Sequence, residues 1–223
     1  LAMGLGTEIR HKIAQRAAME ISDGMLVNLG IGIPSLVPDH LPAGHSIMFH
    51  AENGIVGMGK SPKEGEEDAH LCNAGGYPVT LRNGGSYCDS TTAFGMIRKG
   101  LIDVTILGAL QVSENGDLAN WIVPGKRVPG MGGAMDLAAK AKKVIVLMNH
   151  RDKNGKSKLV KRCTLPLTAK RCVHMVITEM GVFLVMKDGL LLTDLFLPYT
   201  IDEVKASTEA KFDISDSLTL LGE

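Results

Sequence analysis

From Thr7 to Ser22 the apolar residues Ile9, Ile13, Ala17 and Ile21 return every four positions, with Arg10, Gln15 and Arg16 turned away. That is the period of an amphipathic helix, and Asp23-Gly24 reads as its end. Met25 to Leu29 then forms a short apolar run, a buried strand by its length. Gly30-Ile31-Gly32-Ile33-Pro34 follows, with Pro34 placed to open a helix that Pro38 keeps short or kinked. A second apolar run, Ser46 to Phe49, leads into His50-Ala51-Glu52-Asn53-Gly54. Lys60 to His70 is charged and reads as a mobile surface loop, and Asn73 to Gly85 as a turn-rich strand around Val79-Thr80-Leu81. Ser90 is placed to cap a helix reaching about Lys99, and Ile102 to Leu110 reads as a buried strand.

Val128 to Asp136 is glycine-rich and runs into an alanine-rich helix ending near Lys142; Val144 to Met148 has the texture of a parallel-sheet strand. Past Val173 the pattern changes to Met175–Thr178, Val182–Lys187 and Leu190–Leu195, separated by Met180-Gly181 and Asp188-Gly189, which read as hairpin turns. Thr200-Ile201-Asp202-Glu203 has the capping-box spacing and opens a last helix. The expected fold is one α/β domain over 1–223, a central mostly parallel sheet with helices on both sides and an antiparallel C-terminal section. Residues 1–6, which begin Leu1-Ala2-Met3-Gly4, carry no pattern and are compatible with a cloning remnant.

Composition narrows the chemistry. Lys plus Arg and Asp plus Glu both number 24, so nothing favours nucleic acid or an anionic membrane as partner. No apolar run reaches membrane-spanning length, and no apolar signal region opens the chain. Cys72, Cys88, Cys163 and Cys172 are scattered without a Cys-x-x-Cys pair, and the seven histidines lack ligand spacing. The expectation is no metal, no disulfide framework and a soluble protein of a reducing compartment. Twenty-six glycines stand against five Phe, three Tyr and one Trp, a balance that suits ligand binding through tight loops.

The candidate chemistry centres on Glu52. Asn53-Gly54 favours a sharp turn, which puts the carboxylate at the carboxyl end of a strand, where open α/β sheets bind ligands. Gly54, Gly57 and Gly59 clear side chains from its surroundings. On this stretch alone Glu52 is a base, a metal ligand, a nucleophile or a solvated turn residue. Gly30-x-Gly32 is a weak anion-loop pattern by itself.

Taken together, Asn28-Leu29-Gly30-Ile31-Gly32-Ile33-Pro34, Glu52-Asn53-Gly54-Ile55-Val56-Gly57-Met58-Gly59 and Gly130-Met131-Gly132-Gly133-Ala134-Met135-Asp136-Leu137 resemble the B-type half of a 3-oxoacid CoA-transferase. The resemblance runs from about Glu8 to Leu221. It implies the CoA-transferase/isomerase fold, a separate A-type subunit in an A2B2 assembly, and acyl-CoA and carboxylic acid substrates. Coenzyme A enters as substrate and no cofactor is expected. It also implies a covalent glutamyl-CoA thioester on Glu52 and a bacterial, cytoplasmic setting. The family's Ser-Glu-Asn-Gly signature is complete at Ser113-Glu114-Asn115-Gly116, whereas Ala51 precedes Glu52. Context still selects Glu52, because Ile55-Val56-Gly57-Met58-Gly59 behind it matches the family, while Glu114 lies in a polar turn.

The expected oxyanion donors are main-chain groups at Gly132 and Gly133, with the Asn28, Gly30 and Gly32 turn as a second source; the resemblance favours Gly133. Asn53 and Gly54 are expected to shape the turn. Met131 and Met135 would line the pocket, and Asp136 reads as a helix-start carboxylate. Lys60, Lys63, Lys126 and Arg127 are candidates for the CoA phosphates. The competing readings are an acyl-CoA hydrolase on the same scaffold, a phosphosugar isomerase with Glu52 as base, and a non-catalytic ligand-sensing subunit.

Overall fold

The computed structural model describes residues 6–42, 44–125 and 130–222. Lys126 and Arg127, two of the phosphate candidates, lie outside them, as do residues 1–5.

The first helix, α1 (Thr7–Ala18), buries Ile13, Ala14, Ala17 and Ala18. It stops short of the periodic pattern, which ran to Ser22, so Gly24 is not its cap. Glu20 N–H and Ile21 N–H instead bond three residues back, to Ala17 and Ala18. The Glu20 carboxylate pairs with Arg16 at 2.6 Å and Lys143 at 2.6 Å, and Ile21 still reaches the core. Then come β1 (Leu26–Leu29), a 3-10 helical segment over Ile33–His40 with Pro34 in its first turn, and β2 (Met48–Ala51). The second half of the glycine-cleared stretch is itself a strand, β3 (Ile55–Met58), followed by β4 (Leu81–Tyr87).

Helix α2 (Ser90–Arg98) is capped by Asp89, whose carboxylate accepts from Thr92 N–H, and not by Ser90 as expected. After β5 (Val104–Gly108) come two short strands, β6 (Gln111–Ser113) and β7 (Leu118–Ala119). Helix α3 (Ala134–Lys140) leads to β8 (Lys143–Leu147), then β9 (Leu159–Val160) and β10 (Met175–Ile177). The hairpin strands β11 (Gly181–Met186) and β12 (Gly189–Phe196) precede α4 (Ile201–Ser207), whose Thr200–Glu203 capping box is complete. The last strand is β13 (Phe212–Leu221).

Ten strands form one sheet in the order β13-β12-β11-β10-β8-β5-β1-β2-β3-β4. The run from β2 through β1, β5 and β8 to β10 is parallel. Antiparallel strands extend it on one side with β11 and β12 and on the other with β3 and β4. The antiparallel C-terminal section is therefore present, and β13 rejoins it parallel to β12.

Strand alternation sorts the core into two faces. Ile106, Ile145, Leu147 and Ile177 meet α1 on one face. Leu107, Val144, Val146 and Val176 meet Ala138 of α3 and Val204 of α4 on the other. Helices thus flank both faces, but the second is also covered by a small sheet, β7-β6-β9, through Val112, Leu118 and Leu159. Among the described residues no helix is long and apolar enough to cross a membrane. Because β1, β2 and β5 run parallel, Leu29, Ala51 and Gly108 end at one edge of the sheet, and Glu52 follows directly on that edge.

Candidate active site

The turn between β2 and β3 is fixed by main-chain bonds. Gly54 N–H donates to the Ala51 carbonyl at 3.0 Å, and Cys88 N–H donates to the Gly54 carbonyl at 2.9 Å. Gly54 has φ +117, and a Cβ there would overlap the Cys88 carbonyl oxygen, so no other residue fits. Asn53 turns outward, its amide donating to the Cys72 carbonyl at 2.8 Å and tying the turn to the 60–80 excursion. Asn53 and Gly54 therefore shape the turn that carries Glu52.

The half-buried Glu52 side chain reaches two of the expected partners. Asn28, at the register position beside His50, donates from Nδ2 to Glu52 Oε2 at 3.2 Å. On the other side stands Gly133, the residue before α3. A Cβ at Gly133 would lie 3.2 Å from Glu52 Oε1 and 3.3 Å from its Cδ. The Gly133 backbone is ordinary, with φ −76, so glycine is required there by closeness to the carboxylate and not by conformation. Gly132 before it has φ +56.

Other expected residues do less. Gly30 N–H is already given to the Ile106 carbonyl at 2.8 Å, so it is not free to donate to an oxyanion, a correction to that expectation. Its job is strand closure. Gly32 gives its carbonyl to Ser35 N–H at 3.2 Å and Ser35 Oγ at 2.7 Å, fastening the 3-10 turn. Asp136 pairs with Arg98 of α2 at 3.0 Å, which anchors the start of α3 and bears out the helix-start reading. Glu114 takes Lys211 N–H at 3.1 Å in the β6–β7 turn, within the small sheet. Its carboxylate holds the segment entering β13, more than the free surface turn that was expected.

Sequence reasoning passed over His50. It is 1% exposed, as is Asn28, and Thr105 is fully buried beside them. Burial holds the His50 pKa below the usual histidine value, against the pull of the Ala93 carbonyl and Glu52, so the ring stays neutral. Nε2 lies 3.2 Å from the Ala93 carbonyl oxygen, which only accepts, so Nε2 carries the proton and Nδ1 is a bare acceptor. The signal available was a histidine inside an apolar run, Ile47-Met48-Phe49-His50-Ala51, which calls for a polar match in the core.

No cluster of three or more His, Cys, Asp or Glu that could hold a metal occurs among the described residues. A cavity of about 480 Å³ lies against the beginning of β2, lined by Leu41, Ile47, Phe49, Met58, Lys60 and Arg82. Glu52 does not line it, so Lys60 stands at the other end of the strand from the carboxylate.

The geometry offers a carboxylate held by one oxygen, with its other oxygen beside a side-chain-free residue at a sheet edge. Comparison with known proteins places this chain. The sequence profile described as Coenzyme A transferase matches residues 10–207. The beta chain of a probable coenzyme A transferase from Bacillus subtilis (strain 168) is 62% identical over 212 residues, 95% of this chain and 98% of that protein. The B-type subunit of the succinyl-CoA:3-ketoacid coenzyme A transferase of Helicobacter pylori (strain ATCC 700392 / 26695) is 49% identical over 206 residues, 92% of this chain and 99% of that protein. Among solved structures, the apoenzyme of an acyl-CoA transferase (YdiF) from Escherichia coli O157:H7 superposes with a TM-score of 0.77 at 21% identity. That match covers 98% of this chain and 44% of the other, and it speaks for the fold alone.

Proposed function

This chain belongs to the coenzyme A transferase family, and from that premise we propose that it is the B-type subunit of a 3-oxoacid CoA-transferase whose nucleophile is Glu52. One observation carries the residue assignment: Glu52 Oε2 is held by buried Asn28 while Oε1 lies against Gly133.

In this reading Glu52 Oε1 attacks the acyl-CoA carbonyl carbon, the C–S bond breaks, and CoA leaves as thiolate. An acyl-glutamyl anhydride remains. The thiolate attacks the glutamyl carbonyl, the anhydride C–O bond breaks, and the first acid departs as carboxylate. Glutamyl-CoA thioester is left behind, and the acceptor acid reverses the sequence. Thioester energy never passes to water, and the covalent halves predict ping-pong kinetics. Each step passes through a tetrahedral oxyanion. The main-chain N–H groups at Gly132 and Gly133 are the donors proposed for it, a contribution of about 2.7–4 kcal/mol per donor in comparable sites.

Succinyl-CoA and a 3-ketoacid such as acetoacetate are the proposed donor and acceptor, following the relatives' names; acetyl-CoA with butyrate or acetoacetate suits the same chemistry. Relatives that are themselves B-type subunits imply an A-type partner. Ile31, Tyr77 and Met135 are exposed, Ile31 packing on Gly75 and Met135 following Gly133 by two residues. We assign this apolar rim to the A-type partner, in an interface of more than about 2,000 Å².

The test is CoA transfer from succinyl-CoA to acetoacetate by this chain alone and by the chain mixed with its A-type partner. Activity is expected only in the mixture, and Glu52→Gln should abolish it while still assembling. Full turnover by verified monomer, or by the Gln variant, contradicts the reading.

A further inference from the structure

Glu52 is backed by a polar row that crosses three strands. Thr105 on β5 is the register partner of Asn28 on β1, and Asn28 is the register partner of His50 on β2. All three are sealed from solvent, an arrangement that is costly unless each polar group finds a match. The matches centre on Asn28, whose two Nδ2 protons are shared among three acceptors. Thr105 Oγ1 donates to Asn28 Oδ1 at 3.4 Å, and Asn28 Nδ2 donates to the His50 carbonyl at 3.1 Å and to Glu52 Oε2 at 3.2 Å. His50 Nδ1, the unprotonated ring nitrogen, faces the same Nδ2 at 3.4 Å.

An asparagine amide can be seated two ways round. Turned over, Asn28 Oδ1 would face three acceptors: the His50 carbonyl, His50 Nδ1 and the Glu52 carboxylate. Those groups leave one orientation. The His50 ring is pinned in turn through Nε2–H to Ala93 in α2, so the row is tied to a helix as well as to the sheet.

We propose that Thr105 and His50 are positioning residues for CoA transfer, fixing the Asn28 amide so that Glu52 Oε2 is held and Oε1, beside Gly133, is the attacking oxygen. The proposal rests on Glu52 being the nucleophile. A carboxylate free to rotate about its last bond presents either oxygen in many orientations, whereas one held at Oε2 presents Oε1 in the direction of attack. Neither Thr105 nor His50 touches the reacting atoms, so both should act on turnover and not on substrate affinity.

The experiment uses the enzyme assembled with its A-type partner and measures kcat, KM for acyl-CoA and Tm. His50→Asn keeps an acceptor oxygen near the Nδ1 position, while His50→Gln keeps the donor toward Ala93 and loses that acceptor. Gln fills more of the vacated space, so a purely structural role ranks Gln above Asn in both Tm and kcat. The positioning role ranks Asn above Gln in kcat by about tenfold, with KM changed less than about twofold. Thr105→Val should lower kcat about tenfold at constant KM, and Thr105→Ser, which restores the hydroxyl, should recover most of it. If Thr105→Val does not fold, the His50 pair decides alone. Glu52→Gln serves as the control in the same series. An active Glu52→Gln removes the nucleophile and the proposal with it. An inert Glu52→Gln beside His50→Gln turning over as fast as His50→Asn overturns the positioning role only.

Discussion

At the scale of single residues, Gly133 shows most plainly how closeness sets identity. Its backbone is one that any residue adopts, yet the Glu52 carboxylate occupies the volume where a side chain would grow. Gly133→Val should fold, because the clash is with a movable side chain and not with backbone. It should still lower kcat/KM by about 100- to 1,000-fold, through a displaced Glu52 and an obstructed N–H approach. Near-normal kcat/KM in a folded Gly133→Val would reduce the residue to a helix-start glycine. That Glu52, Asn28 and Gly133 come together was legible only through the resemblance of the three glycine blocks to the family. His50 and Thr105 were not. Each lies in an ordinary apolar strand, and only the register of three parallel strands brings them beside Asn28.

The same limit governs the elements. Local signals located β1, β2, β5, β8, the β10–β12 hairpins and the Thr200 capping box, because hydrophobic period, turn residues and cap chemistry are all short-range. They missed β6, β7 and β9, two or three residues each, which persist through burial of Val112, Leu118 and Leu159 against the large sheet. They also missed β13, whose Phe212, Ile214, Leu218 and Leu220 keep a period of two that charged Asp216 interrupts.

One junction between elements titrates. His150 follows β8 and is fully buried, with Nδ1 3.0 Å from Thr178 Oγ1 past β10 and Nε2 2.9 Å from Thr208 Oγ1 past α4. Burial, with the charge of Arg151 adding to it, lowers its pKa to about 4. The unfolded chain takes up this proton near pH 6.5 and the native chain does not, so stability is full above about pH 6.5 and falls as pH drops toward 4. Nearby Glu179, raised by burial, works in the opposite direction, so the comparison must be with a variant. The stability advantage of wild type over His150→Asn, measured by denaturant unfolding, should shrink by up to about 3 kcal/mol between pH 6.5 and 4. A pH-independent difference would mean that His150 is charged or solvated in the native protein.

For the whole molecule, the question is which carboxylate would carry CoA. The complete Ser-Glu-Asn-Gly motif belongs to Glu114, whose Oε2 accepts from Lys211 N–H in the small sheet. Glu52 has the less complete motif, and among the described residues its Oε1 carries no hydrogen bond. We favour Glu52 on context, because the parallel strands bring Asn28 and the start of α3 to its carboxylate. The most direct measurement is incubation of the assembled enzyme with acyl-CoA and no acceptor, followed by borohydride reduction and peptide mass analysis. The first acid can leave before a second arrives, so a glutamyl-CoA thioester should accumulate and be reduced to the alcohol with release of CoA. That change is expected on the peptide carrying Glu52, with none on the peptide carrying Glu114 and none at all in Glu52→Gln. A reduced residue at Glu114, or transfer activity with no covalent adduct on Glu52, would contradict the assignment to Glu52.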